Sequence, residues 1–202
     1  MIDLILDDCM NVMKKYDDNH FDLAIVDPPY GLGSKVVNSG GRFKRYENKN
    51  GNWDNAIPDK EYFDELFRVS ENQIIWGGNY FGLPPNRCFL IWDKKQPQGV
   101  SFASCEYAWT SFDKTAKTFY KSPQNQTIRF HPTQKPVKLY EWLLHNYAEK
   151  GQKILDTHLG SGSIAVASHY FGVDLVGIEI DEEYYNKAKE RINELTKQKS
   201  LF

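Results

Sequence analysis

The fold is decided by the stretch Ile154-Leu155-Asp156-Thr157-His158-Leu159-Gly160-Ser161-Gly162-Ser163, which runs from a short apolar strand through a glycine-rich turn into a helix. Gly160 and Gly162 allow the backbone to approach a ligand closely, and the N-terminus of the helix lies behind them. Glu179 follows Asp156 by 23 residues, at the tip of the next predicted strand, where a carboxylate can accept a hydrogen bond from a ribose. The pattern predicts a site for an adenosine-bearing cofactor. The turn lacks the G-x-G-x-x-G spacing of dinucleotide sites, and the alternative is a tight turn that only packs helix against strand.

Outward from this turn, apolar strands alternate with helical patterns along the chain. The predicted strands cover residues 2–6, 21–26, 74–76, 88–92, 154–155 and 175–180, and the predicted helices cover 8–16, 58–70, 136–149, 163–171 and 182–197. Strands that are apolar throughout are typical of a parallel sheet covered by helices on both faces. Residues 106–112 alternate in polarity and favour an edge strand. We expect the 202 residues to form one α/β domain with a doubly wound sheet.

A second chemical motif, Asp27-Pro28-Pro29-Tyr30, follows the apolar run 21–26. The exocyclic amine of adenine or cytosine is a poor nucleophile because its lone pair is delocalised into the ring. The Asp27 carboxylate and the Pro28 carbonyl can accept its two N–H groups, while the prolines fix both acceptors. Tyr30 offers a flat face on which a base can stack. The tetrapeptide therefore predicts a catalytic site, and the alternative is a proline-rich turn that ends a strand.

Composition restricts the class of protein. The net charge is −2, but residues 31–50 hold five basic side chains against one acid, and residues 114–138 hold six with none. Such segments favour a basic surface for phosphates, and solvated loop charges are the alternative. Three widely spaced cysteines favour reduced thiols in a cytoplasm, and no zinc spacing is present, so we predict no metal. No apolar run is long enough for a membrane span, and the N-terminus lacks the pattern of a signal peptide.

Taken together, these residues resemble the β group of S-adenosylmethionine-dependent DNA amino-methyltransferases. In that family Asp-Pro-Pro-Tyr is the catalytic motif and Asp-x-x-x-Gly-x-Gly is the cofactor motif, in the order found here. Further similar segments are 75–81 (IWGGNYF), 88–93 (CFLIWD), 131–136 (HPTQKP) and the opening 6–9 (LDDC). The resemblance extends nearly from end to end of the chain.

The resemblance implies a circularly permuted, Rossmann-like methyltransferase sheet of seven mostly parallel strands with one antiparallel edge strand. The strand that ends at Asp156 would lie between those that end at Glu179 and Asp27. The implied catalytic residues are Asp27, Pro28, Pro29 and Tyr30. The implied cofactor-binding residues are Asp8, Cys9, Thr133, Lys135, Asp156, His158, Leu159, Gly160, Ser161, Gly162, Glu179 and Ile180. Within this set, Glu179 would hold the ribose, Asp8 would contact the adenine, and Thr133 and Lys135 would lie near the amino-acid end.

Two departures from the family pattern stand in this sequence. Thr157-His158 replaces the common Pro-Phe of the cofactor turn, and Asp7 replaces the glycine before Asp8. His158 is interpreted as a packing substitute or, in the minority reading, as a direct ligand. Residues 31–56 are expected to form a mobile loop that faces DNA, and residues 94–130 a small target-recognition region.

The expected function is methyl transfer from S-adenosylmethionine to the N6 amino group of adenine in double-stranded DNA, in a restriction-modification setting. In the resembling family, Asp at the first position of the catalytic motif favours adenine over cytosine. The alternatives are an N4-cytosine DNA enzyme, an RNA adenine enzyme, a protein-amide enzyme, or an inactive subunit of a two-chain methyltransferase. A homodimer would offer more surface for enclosing a duplex, although no residue fixes it. The expected location is the cytoplasm of a bacterium, with a bacterial or phage gene.

Overall fold

The structure is a computed structural model that describes residues 1–32, 56–97, 103–123, 130–131 and 133–197. Its strands are β1 Ile2–Leu6, β2 Phe21–Val26, β3 Ser70–Trp76, β4 Phe89–Asp93, β5 Cys105–Thr110, β6 Lys117–Tyr120, β7 Lys153–Asp156 and β8 Asp174–Glu179. Its helices are α1 Cys9–Met13, α2 Lys60–Val69, α3 Val137–Tyr147, α4 Ser163–Phe171 and α5 Glu182–Lys197, with a 3-10 turn at Gly78–Tyr80. In these described ranges, no helix is long and apolar enough to cross a membrane.

The strands form one sheet in the order β1-β8-β7-β2-β3-β5-β4-β6. β1, β8, β7, β2 and β3 run parallel to one another, and β6 runs parallel to β4. β5 is antiparallel to both of its neighbours, β3 and β4. The prediction of a mostly parallel α/β sheet, with β7 between β8 and β2, is confirmed.

Two details of the predicted sheet are wrong. The described sheet has eight strands rather than seven, because the short polar segment β6 adds an edge strand that has no hydrophobic signal. The antiparallel strand, β5, lies inside the sheet rather than at its edge. Its partly polar sequence, CEYAWT, indicated an exposed edge, but the structure buries the last three residues between β3 and β4.

The apolar strands are buried because helices cover both faces of the sheet. One face packs Leu23, Ile25 and Ile74 in a core that includes residues of α3, α4 and α5. The other face packs Ala24 and Val26 in a core that includes residues of α1 and α2. Alternate residues of β2 therefore enter opposite cores, as the twofold period of a strand requires. This explains why the sequence of β2 is apolar throughout rather than alternating.

Local sequence signals define several helix ends. Asp8 caps α1, since its side chain accepts a hydrogen bond from the backbone N–H of Met10 at 2.7 Å. Asp59 caps α2 in the same way, through the N–H of Tyr62 at 3.0 Å. Gly172 ends α4 in the left-handed conformation, with φ of 88°, which glycine adopts readily. The predicted ranges of α4 and α5 are confirmed, whereas α1 ends at Met13, three residues earlier than predicted.

The chain reverses its winding direction between β7 and β2. From β7 the chain continues to β8 on one side, and from β2 it continues to β3 on the other. In doubly wound sheets, ligands bind beyond the carboxyl ends of the strands at such a switch point. The glycine-rich turn follows β7 and the Asp27–Tyr30 tetrapeptide follows β2, so both predicted motifs lie at this edge.

Candidate active site at the tips of the central strands

Strand register brings the two motifs together. Ala24 pairs with Leu155, which places Ile25 opposite Asp156. Asp27 therefore lies two residues beyond the position opposite Asp156. With about 3.3 Å per residue and about 4.8 Å between strands, their backbones are ~8 Å apart. Lys135 also links them: the Ser163 hydroxyl donates to its backbone carbonyl at 2.7 Å, and its side-chain ammonium bonds to Asp27.

The Asp27 carboxylate is held at both oxygens. The Tyr30 hydroxyl donates to Oδ1 at 2.5 Å, and the Lys135 ammonium forms an ion pair and hydrogen bond with Oδ2. Burial, followed by the negative charges of Asp27 and Glu106, raises the pKa of the Tyr30 hydroxyl well above its ordinary value. Tyr30 is therefore a neutral donor at physiological pH. One-fifth of the Asp27 side chain remains exposed, so the carboxylate can still be approached.

The ring of Tyr30 is packed from β3 and the turn that follows it. A Cβ on Gly77 would lie 2.2 to 2.7 Å from three atoms of the Tyr30 ring, which is closer than any side chain allows. Gly77 also has φ of 72°, a conformation that favours glycine. The exposed ring of Tyr80 stacks on Tyr30 with 5.0 Å between centroids and an interplanar angle of 18°. An aromatic surface therefore lies beside the Asp27 carboxylate.

The glycine-rich turn and the tip of β8 share a carboxylate. The N–H of Gly160 donates to Glu179 Oε2 at 2.8 Å, and the N–H of Asp181 donates to Oε1 at 3.0 Å. These bonds fix the orientation of Glu179, and burial raises the pKa of its carboxyl group. Ile180 follows and is 66% exposed. An apolar surface beside a fixed carboxylate suits an adenosine, with its flat base and its ribose hydroxyls.

The final helix supports the same turn from behind. The Arg191 guanidinium donates to the Ser161 carbonyl at 2.7 Å and to the Ser163 hydroxyl at 3.2 Å. Gly162 has φ of 70°, and a Cβ there would lie 2.7 Å from Ile192 Cδ1. In contrast, the nearest atoms to a Cβ on Gly160 would be those of the His131 ring, at 3.6 Å or more. Gly162 therefore serves packing, whereas Gly160 lies on the more open side of the turn.

Asp156 is almost completely buried at the tip of β7. Burial, above all, raises the pKa of its carboxyl group to about 8, although the N–H of His158 donates to it at 3.1 Å. Burial lowers the pKa of His158 to about 4, so its imidazole is neutral near pH 7. The ring's Nδ1 lies 2.9 Å from the Thr157 hydroxyl, which in turn bonds to the Tyr62 hydroxyl at 2.7 Å. His158 is thus built into a packed polar cluster, and its contact with a ligand stays a prediction.

The remaining predicted residues lie around the same edge. Asp8 and Cys9 follow β1, which pairs with β8 through Leu6 and Glu179. Burial raises the pKa of the Cys9 thiol to about 12, so this cysteine is an inert neighbour. The exposed Thr133 hydroxyl lies 3.2 Å from His131 Nδ1. Leu159 is buried, with its methyl groups against Gly177 of β8. The structure thus gathers the predicted residues at one edge of the sheet, and their individual contacts with a ligand stay predictions.

Sequence reasoning missed the charged side chains behind Asp27. Lys135 was expected at the amino-acid end of a cofactor, but its ammonium lies between Asp27 and Glu106 with 2% of its side chain exposed. Glu106 also lies in this site, although residues 106–112 are predicted only as an edge strand and not as part of the site. The available signal for Glu106 was its place as the single acidic residue in a strand, β5, whose other residues are mostly apolar or aromatic. Lys94 was likewise missed, and it pairs with Glu106 at 2.5 Å.

Comparison with known proteins assigns the family. The model of the DNA methylase family (N6_N4_Mtase) matches residues 75–190, more than half of the chain. The chain belongs to the DNA methylase family. The predicted enzyme class, a DNA methyltransferase, is thereby confirmed.

Individual relatives agree with this assignment over nearly the full chain. The type II methyltransferase M.HpaI of Haemophilus parainfluenzae is 22% identical over an alignment 242 residues long, gaps included. The alignment covers 94% of this chain and 74% of the relative. A crystal structure of the M1.HpyAVI–SAM complex aligns with a TM-score of 0.66 and 20% identity, covering 96% of this chain and all of the other. The cytosine-N4-specific PvuII DNA methyltransferase aligns with a TM-score of 0.63 and 14% identity, covering 98% and 92%. These two structures share the fold of this DNA methylase.

We predict that Gly77→Ala displaces Tyr30. The added methyl group would overlap the Tyr30 ring and would force a left-handed alanine, so we expect the free energy of unfolding to fall by about 2 kcal/mol or more. DNA methylation should fall with it. Gly82→Ala is the matched control, since a Cβ there meets no atom within 4 Å. Urea denaturation and a methylation assay on both variants test this, and equal behaviour of the two would contradict it.

We predict that Asp156→Asn stabilises the ligand-free protein at alkaline pH. The folded protein keeps the Asp156 proton up to about pH 8, whereas the unfolded chain releases it above about pH 4. The free energy of unfolding must therefore fall as pH rises through this window. The asparagine variant lacks this decline and should be about 2 to 5 kcal/mol more stable at pH 8, with little difference at pH 4. Thermal unfolding at both pH values, with the exposed Asp17→Asn as control, measures it; parallel pH curves for both variants and the parent would disprove it.

Proposed function

We propose that this DNA methylase transfers a methyl group from S-adenosylmethionine to the N6 amino group of adenine in double-stranded DNA. The observation that carries the proposal is the meeting of the Asp27–Tyr30 tetrapeptide and the glycine-rich turn at the switch point between β2 and β7. Membership of the DNA methylase family supports the reaction class. Asp27 at the first position of the tetrapeptide supports adenine as the target, through the resemblance described above.

The cofactor side of the cleft fits S-adenosylmethionine. The Glu179 carboxylate is fixed by two backbone N–H groups and can accept hydrogen bonds from the ribose hydroxyls, as acids at this position of such sheets do. Ile180 can cover the adenine face, and Asp8 at the start of α1 can accept from the adenine amino group. The bound S-adenosylmethionine would supply an electrophilic methyl group on a positively charged sulfur.

The substrate side of the cleft prepares the amine. A carboxylate has about four acceptor sites, so Asp27 can accept an N–H of the adenine amino group while it still bonds to Tyr30 and Lys135. The Pro28 carbonyl accepts the second N–H, and both contacts draw the nitrogen toward tetrahedral geometry. Tyr30 holds the extruded base by stacking, in compensation for the few kcal/mol that base flipping costs.

In methyl transfer the amine nitrogen would form an N–C bond as the S–C bond of S-adenosylmethionine breaks. S-adenosylhomocysteine would be the leaving group, and the methylated amine would release one proton to solvent. Asp27 stabilises the positive charge that develops on the nitrogen, because it is fixed beside it in a site that excludes most water. Orientation of the amine accounts for much of the expected acceleration. DNA phosphates are proposed to bind the five basic side chains of residues 31–50 and the five of residues 114–138 other than the buried Lys135, so affinity should fall with salt. Most of these residues lie outside the described ranges, as do much of the expected loop 31–56 and part of the expected region 94–130.

The proposal also covers the oligomeric state of the protein and its location in the cell. We propose a homodimer as the form that encloses a duplex, and the cytoplasm of a bacterial or phage-infected cell as its place of action. Among the described residues, no group of three or more His, Cys, Asp or Glu side chains could hold a metal ion. None of the residue roles proposed above requires a metal ion.

Nucleoside analysis tests the proposal directly. Duplex DNA is incubated with the purified chain and S-adenosylmethionine, digested, and analysed by mass spectrometry. We expect N6-methyladenine, and we expect Asp27→Ala to lower its yield at least ~100-fold because the amine loses its acceptor. Asp64→Asn, on the exposed face of α2, is the control that should retain activity. Product appearing only as N4-methylcytosine, or only on RNA, would overturn the proposed target.

The role of Tyr30 is tested by two substitutions at one position. Tyr30→Phe keeps the ring but loses the hydrogen bond to Asp27, whereas Tyr30→Ala loses both. If stacking holds the base, the alanine variant should lose turnover by a further ~10-fold or more relative to the phenylalanine variant. Cofactor affinity, measured by calorimetry, should change little in either. Equal turnover of the two variants would remove the stacking role.

A further inference from the structure

Four charged side chains form a line behind the catalytic tetrapeptide. Lys94 Nζ lies 2.5 Å from Glu106 Oε1, and Lys135 Nζ lies 3.1 Å from Glu106 Oε2 and also pairs with Asp27. The line runs from the end of β4, across the interior strand β5, to the tip of β2. Positive and negative groups alternate along it, so each carboxylate has at least one cationic partner.

The centre of this line is shielded from water. The Lys135 side chain is 2% exposed, while Glu106 and Lys94 are 20% and 17% exposed. Burial opposes the charge on Lys135, yet the charges of Asp27 and Glu106 together raise the pKa of its ammonium. Burial likewise opposes the charge on Glu106, yet Lys135 and then Lys94 lower the pKa of its carboxyl group. Lys135 and Glu106 are thus each stabilised in the charged form by their partners of opposite charge.

We propose that Lys135 is a positioning residue for Asp27, and that Glu106, paired on its other side with Lys94, holds Lys135 in place. The proposal rests on the role of Asp27 as acceptor of the target amine. It identifies a contribution to the reaction from Glu106 of β5 and from Lys94, which follows β4.

Geometry explains what Lys135 does for Asp27. The ammonium bonds to one carboxylate oxygen and the Tyr30 hydroxyl to the other, so rotation of the carboxylate about its last bond is blocked. The Lys135 Nζ also lies 5.3 Å from the centroid of Trp76 and 6.0 Å from that of Tyr30. These aromatic rings limit where the ammonium can move. The plane of the Asp27 carboxylate is therefore fixed before a base arrives.

Electrostatics explains why Glu106 is needed. An ammonium bound to Asp27 alone would withdraw charge from the carboxylate and make it a weaker acceptor for the base. Glu106 divides the attraction of Lys135 between two carboxylates, and Lys94 in turn offsets the charge of Glu106. The distance of 3.1 Å from Lys135 to Glu106 is that of an ion pair that is not aligned as a hydrogen bond. Lys135 is thus held between the two carboxylates, directed toward Asp27.

The test measures single-turnover methyl transfer at saturating S-adenosylmethionine, together with cofactor affinity by calorimetry and DNA affinity by anisotropy. For Lys135→Met we expect a ~100-fold slower rate, because the acceptor loses its orientation. For Glu106→Gln, which keeps the shape of the side chain, we expect a ~10-fold slower rate. Affinities for the cofactor and for DNA should stay within ~3-fold of the parent chain. The exposed pair Lys187 and Glu183 of α5 supplies the matched controls, Lys187→Met and Glu183→Gln.

A double variant separates positioning from simple stability. Lys135→Met combined with Glu106→Gln removes one positive and one negative charge from the line, so its thermal stability should recover relative to Lys135→Met alone. Its transfer rate should stay as slow as that of Lys135→Met. If the rate recovers together with stability, the pair is only structural and the proposal is wrong.

Three further outcomes would also overturn it. Loss of cofactor affinity by more than ~10-fold in Lys135→Met, with a normal rate at saturation, would make Lys135 a cofactor ligand instead. Parent-like rates in both Lys135→Met and Glu106→Gln, while the parent chain methylates adenine, would refute the positioning role and leave the proposed function intact. A folded parent chain that transfers no methyl group to DNA would refute the proposed function itself, and with it this inference.

Discussion

The pairing of β2 with β7 is the constraint on which the site depends. These strands lie far apart in sequence, yet the Asp22 side chain accepts a hydrogen bond at 2.7 Å from the backbone of Lys153, 131 residues away. The parallel register that follows places the tetrapeptide and the glycine-rich turn at the same edge of the sheet. A slip of one residue would turn the apolar side chains of β2 toward the opposite core. Burial of both faces therefore fixes the geometry of the active site.

The second constraint is the compensation of buried charge. Removal of one partner from a buried ion pair typically costs 3 to 5 kcal/mol, because the remaining charge is left uncompensated. Lys135 meets this requirement with Asp27 on one side and Glu106 on the other. Asp156 meets it differently, since burial raises the pKa of its carboxyl group until it holds a proton near neutral pH. The two aspartates at neighbouring strand tips thus differ in their surroundings, because Asp27 has the Lys135 ammonium beside it and Asp156 has no ion-pair partner among the described residues.

Much of the fold could be predicted from the sequence because its signals are local. A glycine turn between a strand and a helix predicted β7, α4 and the edge at which ligands bind. The tetrapeptide after β2 predicted the second half of the cleft. The line of charges could not be predicted, because it depends on β5 lying between β3 and β4. Lys94, Glu106 and Lys135 are far apart in sequence, and no local pattern indicates which charges will meet.

The sheet edge at β6 shows another limit of local signals. This strand has four residues, three of them exposed, so it contributes almost no hydrophobic period. It forms because β4 offers backbone groups for pairing, which is a property of the sheet rather than of the segment. His158 shows the same limit, since its neighbours Tyr62 and Thr157 come from two elements and determine its environment.

The contact of α5 with the glycine-rich turn has a thermodynamic consequence. Arg191 bonds to the carbonyl of Ser161, and Ile192 occupies the space in which a side chain at position 162 would lie. A ligand that binds only the ordered turn must therefore also stabilise the docked state of the last helix. Docking of that helix must in turn raise the affinity for the ligand by the same factor. The end of the chain would then report cofactor occupancy through the hydrogen-exchange protection of α5, although no residue of that helix need touch the cofactor.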